Sequence, residues 1–70
     1  MSSKQTYVLD GVVRVGKTNV NIDNFTTEAY SDKQARLKLA FALRTRLGNR
    51  DTITDLYSAI TRSRLSISRR

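Results

Sequence analysis

The sequence predicts a small α+β domain of order β-β-α-α-β, in which a two-layer arrangement places both helices on one face of an antiparallel sheet. Three observations lead there. Residues 7–15 form a β run rich in Val, residues 19–23 alternate polar and apolar side chains with a period of two, and Gly16-Lys17 lies between them as a hairpin turn would. Residues 31–47 and 53–60 instead repeat their apolar positions at helical spacing. Leu65 and Ile67 then return to the period of a strand.

The first strand spans Tyr7 to Val15. Tyr7, Leu9, Val13 and Val15 share one face with Gly11, a position that marks a bulge or a close packing approach. Asp10 and Arg14 fall on the opposite face with Val8 and Val12. After the turn, Val20 and Ile22 alternate with Asn19, Asn21 and Asp23, giving a second, half-buried strand. Phe25 breaks that parity, so a bulge or the strand's end belongs near Asn24.

The stretch Ser31 to Leu47, SDKQARLKLAFALRTRL, is the chain's one long helix. Ser31 and Gln34 have the spacing of a capping box, which satisfies two amides that the first turn leaves free. Tyr30 precedes the cap at the staple position and faces Ala35. Gly48 sits where a left-handed residue ends a helix. Ala35, Leu39, Ala42, Leu43 and Leu47 form a broad apolar face that should cover the hairpin. Leu37 and Phe41 fall outside it as a second apolar strip. The favoured expectation is that the second helix covers them; the other is that they form a protein interface.

That second helix starts at a cap on Asp51 or Thr52, with Asp55 in its first turn, where the helix dipole favours negative charge. Ile53, Leu56, Tyr57 and Ile60 make one apolar face. Leu65 and Ile67, alternating with Arg64, Ser66 and Ser68, give a third strand or an extended tail. Residues 1–5 read as a loose tail, 6–68 as a single domain and 69–70 as a basic end.

Seventy residues allow one thin core. A chain of this size buries only about 60% of its unfolded surface, and its core supplies roughly 3–5 kcal/mol. With no Cys and no His, neither a disulfide nor a usual zinc site can staple it. Oligomerisation or docking into a larger assembly is the remaining route. No apolar run approaches a membrane span, and MSSKQ lacks an apolar signal core, so the expected location is intracellular and away from the bilayer.

GVVRVGKT, Gly11 to Thr18, matches the phosphate-loop pattern G-x-x-x-x-G-K-[ST]. A working loop of that kind follows a strand and opens a helix. Here VVRV is itself extended and NVNIDNF continues as a strand, so the match reads as a hairpin turn. Catalysis has little to draw on. No His or Cys is available as base or nucleophile, and the six acids are scattered. Spacing gives no support to a metal at Asp23, Glu28 and Asp32. The expectation is a protein that is not an enzyme, with no cofactor, no metal and no small-molecule substrate.

Charge is more informative. The net charge is +7, yet residues 1–32 sum to −1 while residues 33–50 carry six cations and no acid. Such asymmetry points to a polyanionic partner. Nucleic acid, RNA or DNA, is the leading candidate, because Lys and Arg contacts to phosphate dominate such affinity. The candidate contacts are Lys33, Arg36, Lys38, Arg44, Arg46 and Arg50, with Arg62, Arg64, Arg69 and Arg70 toward the end. The helix cations point in several directions, which counts against a helix reading the major groove. Backbone- or shape-directed binding fits better, as when a small protein wedges into folded RNA within a ribonucleoprotein. Tyr7, Tyr30 and Tyr57 are the available base stackers, each better placed as core or staple.

The hairpin, the FTTEAYSDKQA entry into a helix, the LG at its end and the late R-x-L-x-I strand resemble the LX-type ribosomal protein of archaeal large subunits. The resemblance spans Tyr7 to Ile67 and implies a short hairpin–helix–strand domain docked on ribosomal RNA. The helix Ile53–Ile60 has no clear counterpart in that family. The alternative class is a structural or interaction subunit: part of a homo-oligomer, of a viral or phage particle, or a protein-binding regulator. Leu37 and Phe41 would then be its interface.

Overall fold

The computed structural model describes residues 3–70 and has the order β1 (Gln5–Val15), β2 (Thr18–Ala29), α1 (Asp32–Arg46), α2 (Ile53–Arg62) and β3 (Ser66–Arg69). The three strands form one antiparallel sheet, ordered β2-β1-β3. Of the tail expected over residues 1–5, Met1 and Ser2 lie outside the described residues, whereas Gln5 already pairs with Ala29. At the other end Arg69 is within β3, and the Arg70 amide donates to the Thr6 carbonyl at 2.8 Å.

The hairpin register explains the parity break at Phe25. Leu9 pairs with Phe25 and Gly11 with Ile22, so Asp10 stands opposite two residues of β2, Asp23 and Asn24. Asn24 has φ 58°, and its amide donates to Asp10 Oδ1 at 2.7 Å. The bulge thus has a left-handed residue that Asn tolerates and a carboxylate that satisfies the displaced amide. It returns Phe25 to the side of the sheet shared by Val20 and Ile22, where all three join the core.

Gly11 marks a close approach. Its φ is +142°, and a Cβ there would lie 2.9 Å from Leu65 Cδ2 and 3.0 Å from the Arg64 carbonyl oxygen. The connection from α2 to β3 therefore crosses directly over the middle of β1. β3 begins at once beyond that crossing, pairing Ser66 with Asp10 and ending with Arg69 opposite Tyr7.

α1 starts as its spacing predicts, with one difference. Ser31 Oγ accepts from the Gln34 amide at 3.2 Å, but Gln34 Oε1 accepts from the Tyr30 amide at 2.8 Å, one residue before the cap. Tyr30 itself stays 52% exposed, so its staple contributes little burial; the Lys4 ammonium lies 5.9 Å from its ring centroid. At the far end the Gly48 amide donates to the Thr45 carbonyl and the Asn49 amide to that of Arg44, the bonding of a Schellman motif, with Gly48 at φ 73°. α2 is capped by Thr52, whose hydroxyl accepts from the Asp55 amide at 3.1 Å.

Both helices cover the same face of the sheet. Leu9, Val13, Leu39, Leu43, Leu56 and Ile60 are its largest fully buried side chains, each stabilising the fold by about 1.5–3 kcal/mol relative to exposure. Ala35 and Ala40 are fully buried too, which lets the neighbouring backbones approach α1 closely. Ala42, expected on the buried face, is exposed at its margin beside β2.

The expected cover for Leu37 and Phe41 is not what forms. The first turn of α2 returns alongside the first half of α1, where Ile53, Thr54 and Tyr57 line a groove with Lys33 and Leu37. Leu37 remains 38% exposed and Phe41, one turn further, 54%. α2 then turns its buried face to Ala40 and the sheet instead.

Candidate nucleic-acid interface

The β2 edge of the sheet engages two of the expected cations. β2 is an edge strand, so alternate carbonyls along its outer side have no strand partner. Two cations of α1 supply donors there. Lys38 Nζ donates to the Glu28 carbonyl, and Arg46 Nη1 to that of Asn21 at 3.4 Å. The sequence assigns both to phosphate. They also serve the fold, by blunting an edge that would otherwise recruit another strand. Arg36 is half-buried on the inner side of α1, whereas Lys33, Arg44 and Arg50 are exposed.

A different grouping emerges at the hairpin-turn end. Arg14 and Gly16 of the hairpin line a cleft of about 390 Å³ together with Ala59, Arg62 and Ser63 from the end of α2. Arg14 Nε donates to the Gly16 carbonyl at 3.4 Å, which holds the guanidinium over the turn. Lys17 occupies the turn itself and is exposed. Arg64 follows, its carbonyl lying against Gly11 and its residue exposed. Arg46 borders the same half of the molecule from the β2 side, through Asn21, the register partner of Val12.

The end of α2 is closed by Ser63, whose amide donates to the Ala59 and Ile60 carbonyls and whose hydroxyl donates to Ala59 O at 2.7 Å. Those terminal carbonyls carry the negative end of the helix dipole, and satisfying them leaves Arg62 to set the local charge. The remaining expected contacts lie elsewhere. Arg69, whose Nη1 donates to Gln5 Oε1 at 3.4 Å, and Arg70 sit at the opposite end of β1, beside Gln5 and Thr6.

Sequence reasoning does not single out Arg14 and Lys17. Both fall in residues 1–32, where three cations and four acids sum to −1. Arg14 meets Arg62 only because the end of α2 packs beside the hairpin turn. The open face of the hairpin is the signal that could have found Arg14, because its parity sets it apart from the core side chains.

Of the possible base stackers, Tyr7 is buried, Tyr57 is half-buried and Tyr30 is the exposed one. The phosphate-loop match is structurally a hairpin: Gly16 and Lys17 form a turn, and Thr18 opens β2 rather than a helix. Among the described residues, no three acidic, His or Cys side chains come together in a way that could hold a metal ion, and no helix is long and apolar enough to cross a membrane.

Comparison with protein-family models, with curated proteins and with solved structures yields no match to this chain.

Proposed function

We propose that this protein is a non-catalytic nucleic-acid-binding protein that grips the sugar–phosphate backbone, as a small subunit of a ribonucleoprotein or similar complex. One observation supports this above the rest. Arg14 of the hairpin and Arg62 at the end of α2, far apart in sequence, line one cleft, with Lys17 exposed at the adjoining turn and Arg64 exposed two residues beyond Arg62. Phosphate recognition needs guanidinium and ammonium groups converging from more than one direction, with room for an oxyanion between them.

The test is a salt titration of binding to a folded RNA hairpin and to a DNA duplex. Affinity should fall steeply and linearly as log salt rises. Arg62→Ala and Arg64→Ala should each flatten that slope by about one. A salt-independent or absent response would overturn the reading.

A second reading, an assembly subunit, is favoured by the exposed strip of Leu37 and Phe41 above the groove with Ile53 and Tyr57. Its mark would be a stable oligomer in light scattering that Phe41→Glu dissociates.

A further inference from the structure

β3 pairs with β1 only over Tyr7–Asp10. Beyond Gly11 the sheet is a two-stranded ribbon, with Val12 opposite Asn21, Arg14 opposite Asn19, and the turn at Gly16-Lys17. One side of the ribbon holds Val13, Val20 and Ile22 in the core. The other side holds Val12, Asn19 and Asn21, all exposed and away from the helices, together with Arg14, which starts on that side by register and also borders the cleft at the end of α2. The contrast with Val8 is instructive. It lies on the same open face, but between Thr26 on β2 and Ser68 on β3 it is buried, whereas Val12 is 47% exposed.

We propose that this bare half of the hairpin enters the major groove of duplex DNA and reads base edges with Arg14, Asn19 and Asn21. The proposal rests on the nucleic-acid reading above and goes beyond it by naming the ligand and adding sequence readout. Side-chain chemistry comes first. Arg pairs in a bidentate manner with guanine O6 and N7, Asn with adenine N6 and N7, and a small apolar group such as Val12 meets a thymine methyl. Three such residues on one face are what the helix cations, which point in several directions, do not offer.

Geometry agrees. A major groove about 12 Å wide admits a two-stranded ribbon. Residues two apart on a strand are separated by about 6.6 Å, close to two base-pair steps of roughly 3.4 Å. The Arg14–Asn19 pair and the Val12–Asn21 pair would therefore address positions about two base pairs apart. The side-chain hydrogen bonds among the described residues leave both carboxamides unengaged. Arg14 commits only Nε, to the Gly16 carbonyl, which holds the guanidinium at the turn and leaves its terminal nitrogens unengaged.

The flanks carry the backbone contacts. Arg62 and Arg64 stand beyond the β1 edge of the ribbon, Arg46 along its β2 edge and Lys17 at its tip. Three acids belong to the open face: Asp10, tied to the Asn24 amide; Asp23, exposed and two residues beyond Asn21, where a carboxylate can accept from cytosine N4; and Glu28, further back opposite Thr6. Double-stranded RNA is a poor alternative, because its major groove is too deep and narrow for a ribbon.

The experiment is selection of the full-length protein on a DNA duplex library with a randomised core. Fluorescence anisotropy then follows on the enriched duplex, a scrambled duplex and an RNA duplex of the enriched sequence. Enrichment of a short core of about four to five base pairs is expected, with the RNA duplex competing poorly. In Asn19→Ala and Asn21→Ala the ratio of enriched to scrambled affinity should fall about tenfold for each bidentate Asn–adenine pair removed. Arg62→Ala should weaken both duplexes alike and keep the ratio. Salt-dependent binding without enrichment, or a ratio that neither Asn variant moves, or equal competition by the RNA duplex, would overturn base reading while leaving backbone binding intact. No binding to any nucleic acid would overturn both.

Discussion

Replacing Gly11 by alanine should cost this protein most of its stability. Two separate effects act there. The φ of +142° lies where L residues are rarely found, a strain of about 1–3 kcal/mol. The new methyl would also lie 2.9 Å from Leu65 Cδ2 and 3.0 Å from the Arg64 carbonyl oxygen. Leucine can change rotamer, but the carbonyl belongs to the backbone that delivers β3, and such overpacking costs about 1–3 kcal/mol. A combined loss of about 3 kcal/mol compares with a total of roughly 3–5 kcal/mol for a core this thin. The corresponding drop in Tm is about 12–24 °C, at 4–8 °C per kcal/mol for a domain of this size. Thermal and urea unfolding followed by circular dichroism measure it. Gly48→Ala is the control: its φ is +73° but nothing lies within 4 Å of the added Cβ, so only the conformational cost of about 1 kcal/mol remains. A double-mutant cycle with Leu65→Ala should show favourable coupling, because that truncation removes one of the two clashes. If Gly11→Ala melted within about 4 °C of the wild type, the crossing of Arg64-Leu65 over β1 would be refuted.

Three further outcomes follow from the same packing. Asp10→Ala should cost about 1 kcal/mol in urea unfolding, since it strips the Asn24 amide of its acceptor and loosens the bulge. Leu56→Ala, in the fully buried core, should cost about 2–5 kcal/mol and leave much of the protein unfolded, whereas Phe41→Glu should move stability by less than about 0.5 kcal/mol; equal effects on Tm would contradict the placement of Phe41. The double variant Lys38→Ala/Arg46→Ala frees the Glu28 and Asn21 carbonyls on the β2 edge, and dynamic light scattering should show concentration-dependent association.

The backbone plan is legible in the sequence because its signals are local. The β runs expose both long strands, and the Phe25 parity break points to a bulge or a strand end near Asn24, where the structure has the bulge, because one inserted residue inverts every later side chain. Ser31 signals the start of α1, and Asp51 or Thr52 that of α2, where Thr52 is the cap that forms, through side chains that reach only three residues. What the sequence hides needs knowledge of neighbours. The wheel of α1 shows that Leu37 and Phe41 are apolar, but the path of residues 47–52 decides that α2 meets Leu37 and misses Phe41. Lys38 and Arg46 read as free cations because their acceptors exist only once β2 becomes an edge. Arg14 escapes notice for the same reason in reverse: isolated in sequence, it gains its company from the end of α2.

The length of the uncovered ribbon is itself set by Gly11. The chain leaving α2 must cross β1 before it can pair, and the one residue of β1 without a side chain is where it crosses. A crossing nearer the hairpin turn would meet Val13, which is fully buried beneath the helices, or Val12 and Arg14 on the outer face. β3 therefore begins opposite Asp10 and can only run back toward Tyr7, leaving Val12 to Val15 without a third strand. The same glycine that allows the sheet to close thus keeps its far half two strands wide, narrow enough for a groove. A side chain at position 11 would push the crossing outward and unsettle both features together, so loss of β3 pairing and altered exposure of Val12 should appear in the same variant. Hydrogen exchange at Val8 and Ser68, which by the Thr6–Arg70 bond and the strand register form a hydrogen-bonded pair between β1 and β3, compared with that at Val13 and Val20, separates this from a general loosening: the former pair should lose protection first, and simultaneous loss at all four would show that the crossing does not control the third strand.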